Sequence, residues 1–127
     1  MGQVPRIPKE KIVRALMKEI QRPNEARDEA ILRVIRSIPK GKVATYSQIA
    51  GAAGYPMYHR LVARILRHSG GRLPWQRVVG AGGEIKLHLD AALEQRMRLE
   101  MEGVTFRGRR VNMEKHQHVF RMWEEEA

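Results

Sequence analysis

Apolar residues recur at helical spacing along most of this chain. Ile12, Leu16 and Ile20 stand four apart, with Val13 and Ala15 beside them and Lys, Arg and Glu on the other face, so residues 8–21 are expected to form an amphipathic helix. Gln21-Arg-Pro-Asn24 interrupts it, and Asn24 is placed to cap the next helix. Glu25, Asp28 and Glu29 then lie near a positive helix N-terminus, where carboxylates are favourable. Ile31, Leu32, Ile35 and Ile38 form the apolar stripe of that helix, and Ile38-Pro-Lys-Gly41 ends it as a turn. Residues 43–45 read as a short extended piece. Thr45, Tyr46 or Ser47 can cap a helix over 48–53, which Gly54 closes. A further helix is expected over about 57–68 with Pro56 in its first turn, where proline sacrifices no helical hydrogen bond. Gly54-Tyr55 between the two gives a helix-turn-helix spacing.

The periodicity changes after His68-Ser-Gly-Gly71. Residues 73–79 read as extended, Gly80-Ala-Gly-Gly83 turns the chain, and residues 84–87 are expected to return as a second strand, making a small hairpin wing. Residues 90–102 read as a helix capped by Asp90 and stopped by Gly103, with Leu93, Met97 and Met101 on one face and Leu99 nearby. A short strand over 104–106 and a last helix over 113–127, frayed at Glu124-Glu-Glu126, complete the chain. The fold class this predicts is mostly α, a winged helix-turn-helix: a three-helix bundle with a short β wing. It occupies one domain over 24–112, after a helical extension over 1–23 and before a C-terminal helix or tail over 113–127.

Charge sharpens this picture. The 127-residue chain has a formal charge of +10, yet no Asp or Glu occurs from Ala30 to Gly83. That stretch holds nine of the 24 basic residues, leaving 15 against 14 acidic residues elsewhere. A one-signed block within a folded domain is a footprint for a polyanion. The helix over 57–68 sorts its faces accordingly. Tyr58, Leu61, Val62 and Ile65 form a buried stripe, while Arg60, Arg64 and Arg67 line the opposite side with small Ala63 among them. A recognition helix needs a core-facing side, a cationic side and little bulk where its backbone meets DNA.

Much chemistry is excluded. The chain has no cysteine, so it offers neither a thiol nucleophile nor a disulfide. It has no Gly-rich phosphate loop. His116 and His118 stand two apart with no third ligand at metal spacing, and neither a metal nor any other cofactor is expected. Glu100 and Glu102 are two apart on a helix and face different ways, so they make no acid/base pair. No run of ~18 apolar residues and no signal-peptide core is present, and the expected location is the cytoplasm and its nucleoid, or the nucleus of a eukaryote.

Several motifs then occur in order. Ile38-Pro-Lys-Gly41 precedes Val43-Ala-Thr-Tyr-Ser-Gln-Ile-Ala50; Gly54-Tyr-Pro-Met-Tyr-His-Arg-Leu-Val62 follows; Pro74-Trp-Gln-Arg-Val-Val79 comes next; and Glu102-Gly103 closes the series. Together, over about half the chain, they resemble the DNA-binding domain of the O6-alkylguanine-DNA alkyltransferases. The resemblance is nearest to the alkyltransferase-like proteins, which share the fold and lack the reactive cysteine. Trp75 stands at the cysteine position and Gln76 at that of the family's histidine.

The resemblance implies a non-enzymatic protein that binds duplex DNA by the minor groove. It would flip O6-alkylguanine out of the stack and mark it for nucleotide excision repair proteins, with no membrane partner and as a monomer. It implies that Tyr46 crowds the flipped nucleotide's phosphate, that Arg60 fills the vacated stack, and that Trp75, Gln76, Arg77 and Val78 form the pocket. Thr45, Ser47, Gln48, Ala63, Arg64 and Arg67 would contact DNA, and Glu102 would belong to a structural network. Arg64 departs from the family's small residue there. Taken without the resemblance, Tyr46 is a helix-start aromatic, Trp75 a core residue and Arg60 a surface residue. Two other classes fit the composition: a winged-helix, sequence-specific transcription regulator, and an adaptor whose main ligand is a repair protein.

Overall fold

The computed structural model describes residues 6–21 and 23–121. After α1 (Lys9–Gln21), Asn24 caps α2 (Glu25–Arg36) as expected, its Oδ1 accepting the Arg27 N–H at 3.0 Å. Ile31 and Ile35 of α2 are fully buried. They join Ile38, Ala44, Ile49, Ala50, Val62, Leu73 and Val78 in the main core.

The helix-turn-helix is α3 (Tyr46–Ala52) and α4 (His59–Arg67). Thr45 and Gln48 build a capping box: Thr45 Oγ1 accepts the Gln48 N–H at 3.0 Å and Gln48 Oε1 accepts the Thr45 N–H at 3.2 Å. Gly54 ends the first helix at φ +92°, a left-handed conformation that favours glycine. The second helix starts later than the proline suggested. Pro56 lies in a turn closed by the Tyr58 N–H on the Tyr55 carbonyl at 2.9 Å, so the chain becomes helical only at His59. Tyr58 is also pinned from behind by Arg27, whose guanidinium lies 4.8 Å from the centre of its ring.

Two short parallel strands divide the interior. β1 (Ala44–Thr45) pairs with β2 (Val78–Val79), Ala44 opposite Val78. Side chains alternate across strands, so Ala44 and Val78 enter the helical core. Val43 and Val79 enter a second cluster with Leu99, Val104 and Val111.

The expected wing is not formed. The chain does reverse, with the Gly80 N–H donating to the Glu84 carbonyl at 2.7 Å, but residues 84–87 make no strand. β2 pairs with β1, its Val78 carbonyl accepts from the Gln95 side chain, and Glu84 makes a lone β-bridge to Arg110 instead. Gly83 at φ +85° is pressed so closely on this segment that a Cβ there would stand 2.5 Å from the Val111 carbonyl oxygen. The hairpin in this region is β3 (Phe106–Arg107) with β4 (Arg110–Val111).

α5 (Leu89–Met101) starts one residue before the expected Asp90 cap, with His88 at the N-cap position making no side-chain cap and Asp90 in the first turn, and it is rotated away from its apolar stripe. Leu93, Met97 and Met101 are 60%, 55% and 83% exposed, while Gln95 and Leu99 face inward. Gln95 fits that rotation: its amide N–H groups donate to the Gln76 carbonyl at 3.1 Å and the Val78 carbonyl at 2.8 Å, although its Oε1 is buried with no hydrogen-bond partner. The last helix is also shorter than expected. α6 (Met113–His116) stops early because the following residues run extended beside Val43, whose N–H donates to His116 and whose carbonyl accepts from His118. The acidic tail lies outside the described residues. Among the described residues no helix is long and apolar enough to cross a membrane.

The rotation of α5 makes a sharp prediction. Leu99→Ala is expected to cost about 2–5 kcal/mol, the usual range for emptying a buried leucine site, whereas Met97→Gln stays within about 0.5 kcal/mol. Urea unfolding of both variants checks it; equal losses would mean that α5 buries its Leu/Met stripe.

Candidate nucleic-acid interface

The site is built around a 3-10 turn over Trp75–Arg77. Pro74 precedes it, the Trp75 backbone N–H donates back to the Leu73 carbonyl at 2.7 Å, and the Trp75 side chain is half-buried. Behind the turn stands Glu102, at the end of α5. One of its oxygens, Oε1, accepts from the Gly41 N–H at 3.0 Å and from Arg77 Nε at 2.9 Å. The other, Oε2, accepts from Gln76 Nε2 at 2.8 Å, and Arg77 continues to the Ile38 carbonyl at 2.9 Å. Burial alone would raise the Glu102 carboxyl. The bonds from Arg77, Gly41 and Gln76, with the charge of Arg77, outweigh it and hold the group below its ordinary value.

In front of the turn lies a cleft of about 520 Å³. Trp75 and Tyr46 line it, with Ala63, Leu66, Leu87 and Ala91 as apolar wall and Arg60, Arg67, His59, Lys86 and Glu94 supplying polar and charged groups. Burial raises the Tyr46 hydroxyl and the nearby Arg67 charge offsets part of that, leaving a neutral phenol at physiological pH. The Arg98 guanidinium stands 5.4 Å from the Trp75 ring centre, and Glu94 holds it at 3.1 Å. Arg60, Arg64 and Arg67 are all exposed along α4, with Ala63 between them beside the cleft.

The residues singled out in the sequence therefore divide. Tyr46, Arg60, Trp75, Ala63 and Arg67 come together at one cleft, and Arg64 stands on the same helix face. Gln76 and Arg77 do not line it; they turn back to Glu102, and Val78 is 1% exposed in the core. Thr45 and Gln48 use their polar atoms on each other, and Gln48 also donates to the His118 carbonyl, while Ser47 is exposed. Lys86, Glu94 and the Arg98 beyond it were not anticipated. The i, i+3, i+7 spacing of Ala91, Glu94 and Arg98 was the available signal, since it puts all three on one side of α5. Among the described residues no group of three or more His, Asp or Glu could hold a metal ion.

This arrangement can be compared with known proteins. The family model described as 6-O-methylguanine DNA methyltransferase, DNA binding domain, matches residues 26–104. The chain belongs to that family. It is 46% identical over 76 residues to a Vibrio parahaemolyticus protein named DNA base-flipping protein, covering 58% of this chain and 76% of that one. It is 44% identical over 71 residues to alkyltransferase-like protein 1 of Schizosaccharomyces pombe, covering 53% and 66%. Among solved structures, S. pombe Atl1 in complex with damaged DNA containing O6-carboxymethylguanine superposes with a TM-score of 0.66 at 28% identity, over 78% of this chain and all of that one (100%). Mycobacterium tuberculosis OGT in complex with DNA gives 0.55 at 26% identity, over 64% and 51%. The mostly helical fold is that of this family. Residues 9–21, which form α1, precede the matched segment.

The Glu102 cluster carries a pH dependence. A carboxyl lowered in the folded state stabilises the fold above its unfolded value, ordinarily 4.5, and that contribution is lost as pH falls through the lower folded value. Glu102→Gln is expected to lose roughly 1–3 kcal/mol at neutral pH and to show a shallower fall in stability on acidification than wild type. Urea unfolding from neutral to acid pH measures it; parallel curves would remove Glu102 as the titrating anchor.

Proposed function

We propose that this protein is a non-enzymatic sensor of O6-alkylguanine in duplex DNA. It enters the minor groove with α4, turns the damaged nucleotide out of the stack into the cleft beside Trp75, and leaves the lesion intact as a mark for nucleotide excision repair. One observation carries this reading: an exposed arginine row and a tryptophan-walled cleft meet on one surface of a chain with no cysteine. The names of the relatives, DNA base-flipping protein and Atl1 in complex with damaged DNA, support it.

Each role follows from chemistry. Extruding a base costs a few kcal/mol, roughly what a stack-filling group and a pocket must return. Arg60 brings a planar cation with five donors to the vacated stack. Tyr46 at the N-terminus of α3 presses on the rotated nucleotide's phosphate. Trp75 offers an apolar, stackable surface to base and alkyl group. Alkyl transfer needs a thiolate, and an indole cannot supply one.

Two measurements test this. Incubated with duplex carrying radiolabelled O6-methylguanine, the protein is expected to leave all label on the DNA; stoichiometric label on the protein would sink the sensor reading. With a fluorescent base analogue beside the lesion, wild type is expected to raise the signal on binding, because the neighbour unstacks. Arg60→Ala should blunt the rise, Tyr46→Phe should be milder than Tyr46→Ala, and Trp75→Ala should lose about 1–3 kcal/mol of lesion affinity. Tight binding with no fluorescence change and a preference for one undamaged sequence would point to a transcription regulator instead.

A further inference from the structure

The exposed arginines of α4 separate two clefts. Trp75 walls the first. The second, of about 630 Å³, lies between α4 and α1: Val13 and Met17 face Met57, Leu61, Arg64 and Arg67 across it. His59, Arg60 and Arg67 border both. α1 thus stands beside the arginine row on the side away from Trp75, and the arginines stay exposed with α1 in place. It is not built into the core: Ile12, Val13 and Leu16 are 45%, 49% and 51% exposed.

Charge identifies what meets it. α1 carries Lys9, Lys11, Arg14 and Lys18 against Glu10 and Glu19. Lys11, Arg14 and Lys18 recur at i, i+3, i+7 in one exposed row. By the helical step that row lies roughly 110° around the axis from Val13 and Met17, so it flanks the cleft instead of filling it. A duplex whose minor groove takes the arginine row has one backbone on each side of it. The flipped nucleotide belongs to the Trp75 side, and the other side is bordered by α1.

We propose that α1 is a second phosphate-binding element, its Lys11, Arg14 and Lys18 gripping the DNA backbone across the groove from the lesion cleft. The inference rests on the minor-groove reading above. It assigns a task to a segment outside the family match and continues the basic surface of α4 onto a separate helix. Because the contact is to phosphates, it adds affinity for damaged and undamaged duplex alike and leaves lesion preference to the cleft.

The full-length triple variant Lys11→Gln/Arg14→Gln/Lys18→Gln tests it, since glutamine keeps helix propensity and removes charge. Fluorescence anisotropy with a matched pair of duplexes, guanine or O6-methylguanine at one position, is followed across a salt series. Each lost phosphate contact lowers the slope of log affinity against log salt by about 0.9, so the triple variant is expected to lose about 2–3 in slope. Its affinity deficit should be greatest at low salt, shrink as salt rises, and be equal for the two duplexes. The control Arg107→Gln/Arg109→Gln/Lys115→Gln removes the same charge from exposed residues that border neither cleft. A slope change no larger than the control's, or tighter binding by the α1 variant, overturns the proposal. The base-analogue signal at saturating protein should be unchanged in the α1 variant. If wild type gives no such signal, the flipping reading fails while the slope comparison still reports on α1.

Discussion

One carboxylate holds the architecture in register. Glu102 takes hydrogen bonds from the turn after α2, through Gly41, and from both residues that follow Trp75. Arg77 extends the cluster to the Ile38 carbonyl. Two segments far apart in sequence are thereby fixed to the end of α5, and all three lead directly to a functional element: Gly41 to β1 and the start of α3, the 3-10 turn to Trp75 and the cleft, and α5 to the cleft's far wall. A charge-assisted bond is roughly twice as strong as a neutral one. Removing this carboxylate would leave an arginine, an amide and a backbone N–H competing for water in a partly buried space.

The rest of the site is a consequence of that anchoring. With Gln76 and Arg77 drawn backward and Val78 locked into the core, Trp75 is the one residue of its turn left to face the cleft. Gln95 reinforces the same segment from α5 by holding the Gln76 and Val78 carbonyls. On the other wall, Val62 pins α4 to the core and the helical period puts the arginines opposite it. Arg27 steadies the entrance to α4 by lying against Tyr58. A rigid backing with cationic, solvated side chains in front is what a surface that must displace a base requires.

Legibility of the site followed the range of the interactions. Tyr46, Arg60 and Trp75 could be singled out because each sits in a local motif. Lys86 and Glu94 sit in no such motif: helical spacing groups Glu94 with Ala91 and Arg98, but only the tertiary placement of α5 and of the loop before it brings Glu94 and Lys86 to the cleft. Gln76 and Arg77 sit in the same motif as Trp75 but have a different task, and one-dimensional proximity does not tell which residue of a tight turn faces outward.

The sequence by itself determined the elements governed by neighbours a few residues apart. Asn24 and the Thr45–Gln48 box start α2 and α3, Gly54 and Gly103 end helices in left-handed conformations, and the arginines of α4 segregate by period alone. The absence of cysteine, and with it of thiol chemistry, is likewise a matter of sequence only. Tertiary structure decided what periodicity left degenerate. α5 has two faces that could be buried, Leu93-Met97-Met101 and Gln95-Leu99, and hydrophobicity favours the first. The second is buried because the carbonyls of Gln76 and Val78 need donors, and a polar residue at position 95 supplies them. The strand after Gly83 fails for a related reason: the Val78 carbonyl of β2 accepts from the Gln95 side chain and Glu84 pairs with Arg110, so backbone groups bond to whichever partner the fold brings within reach.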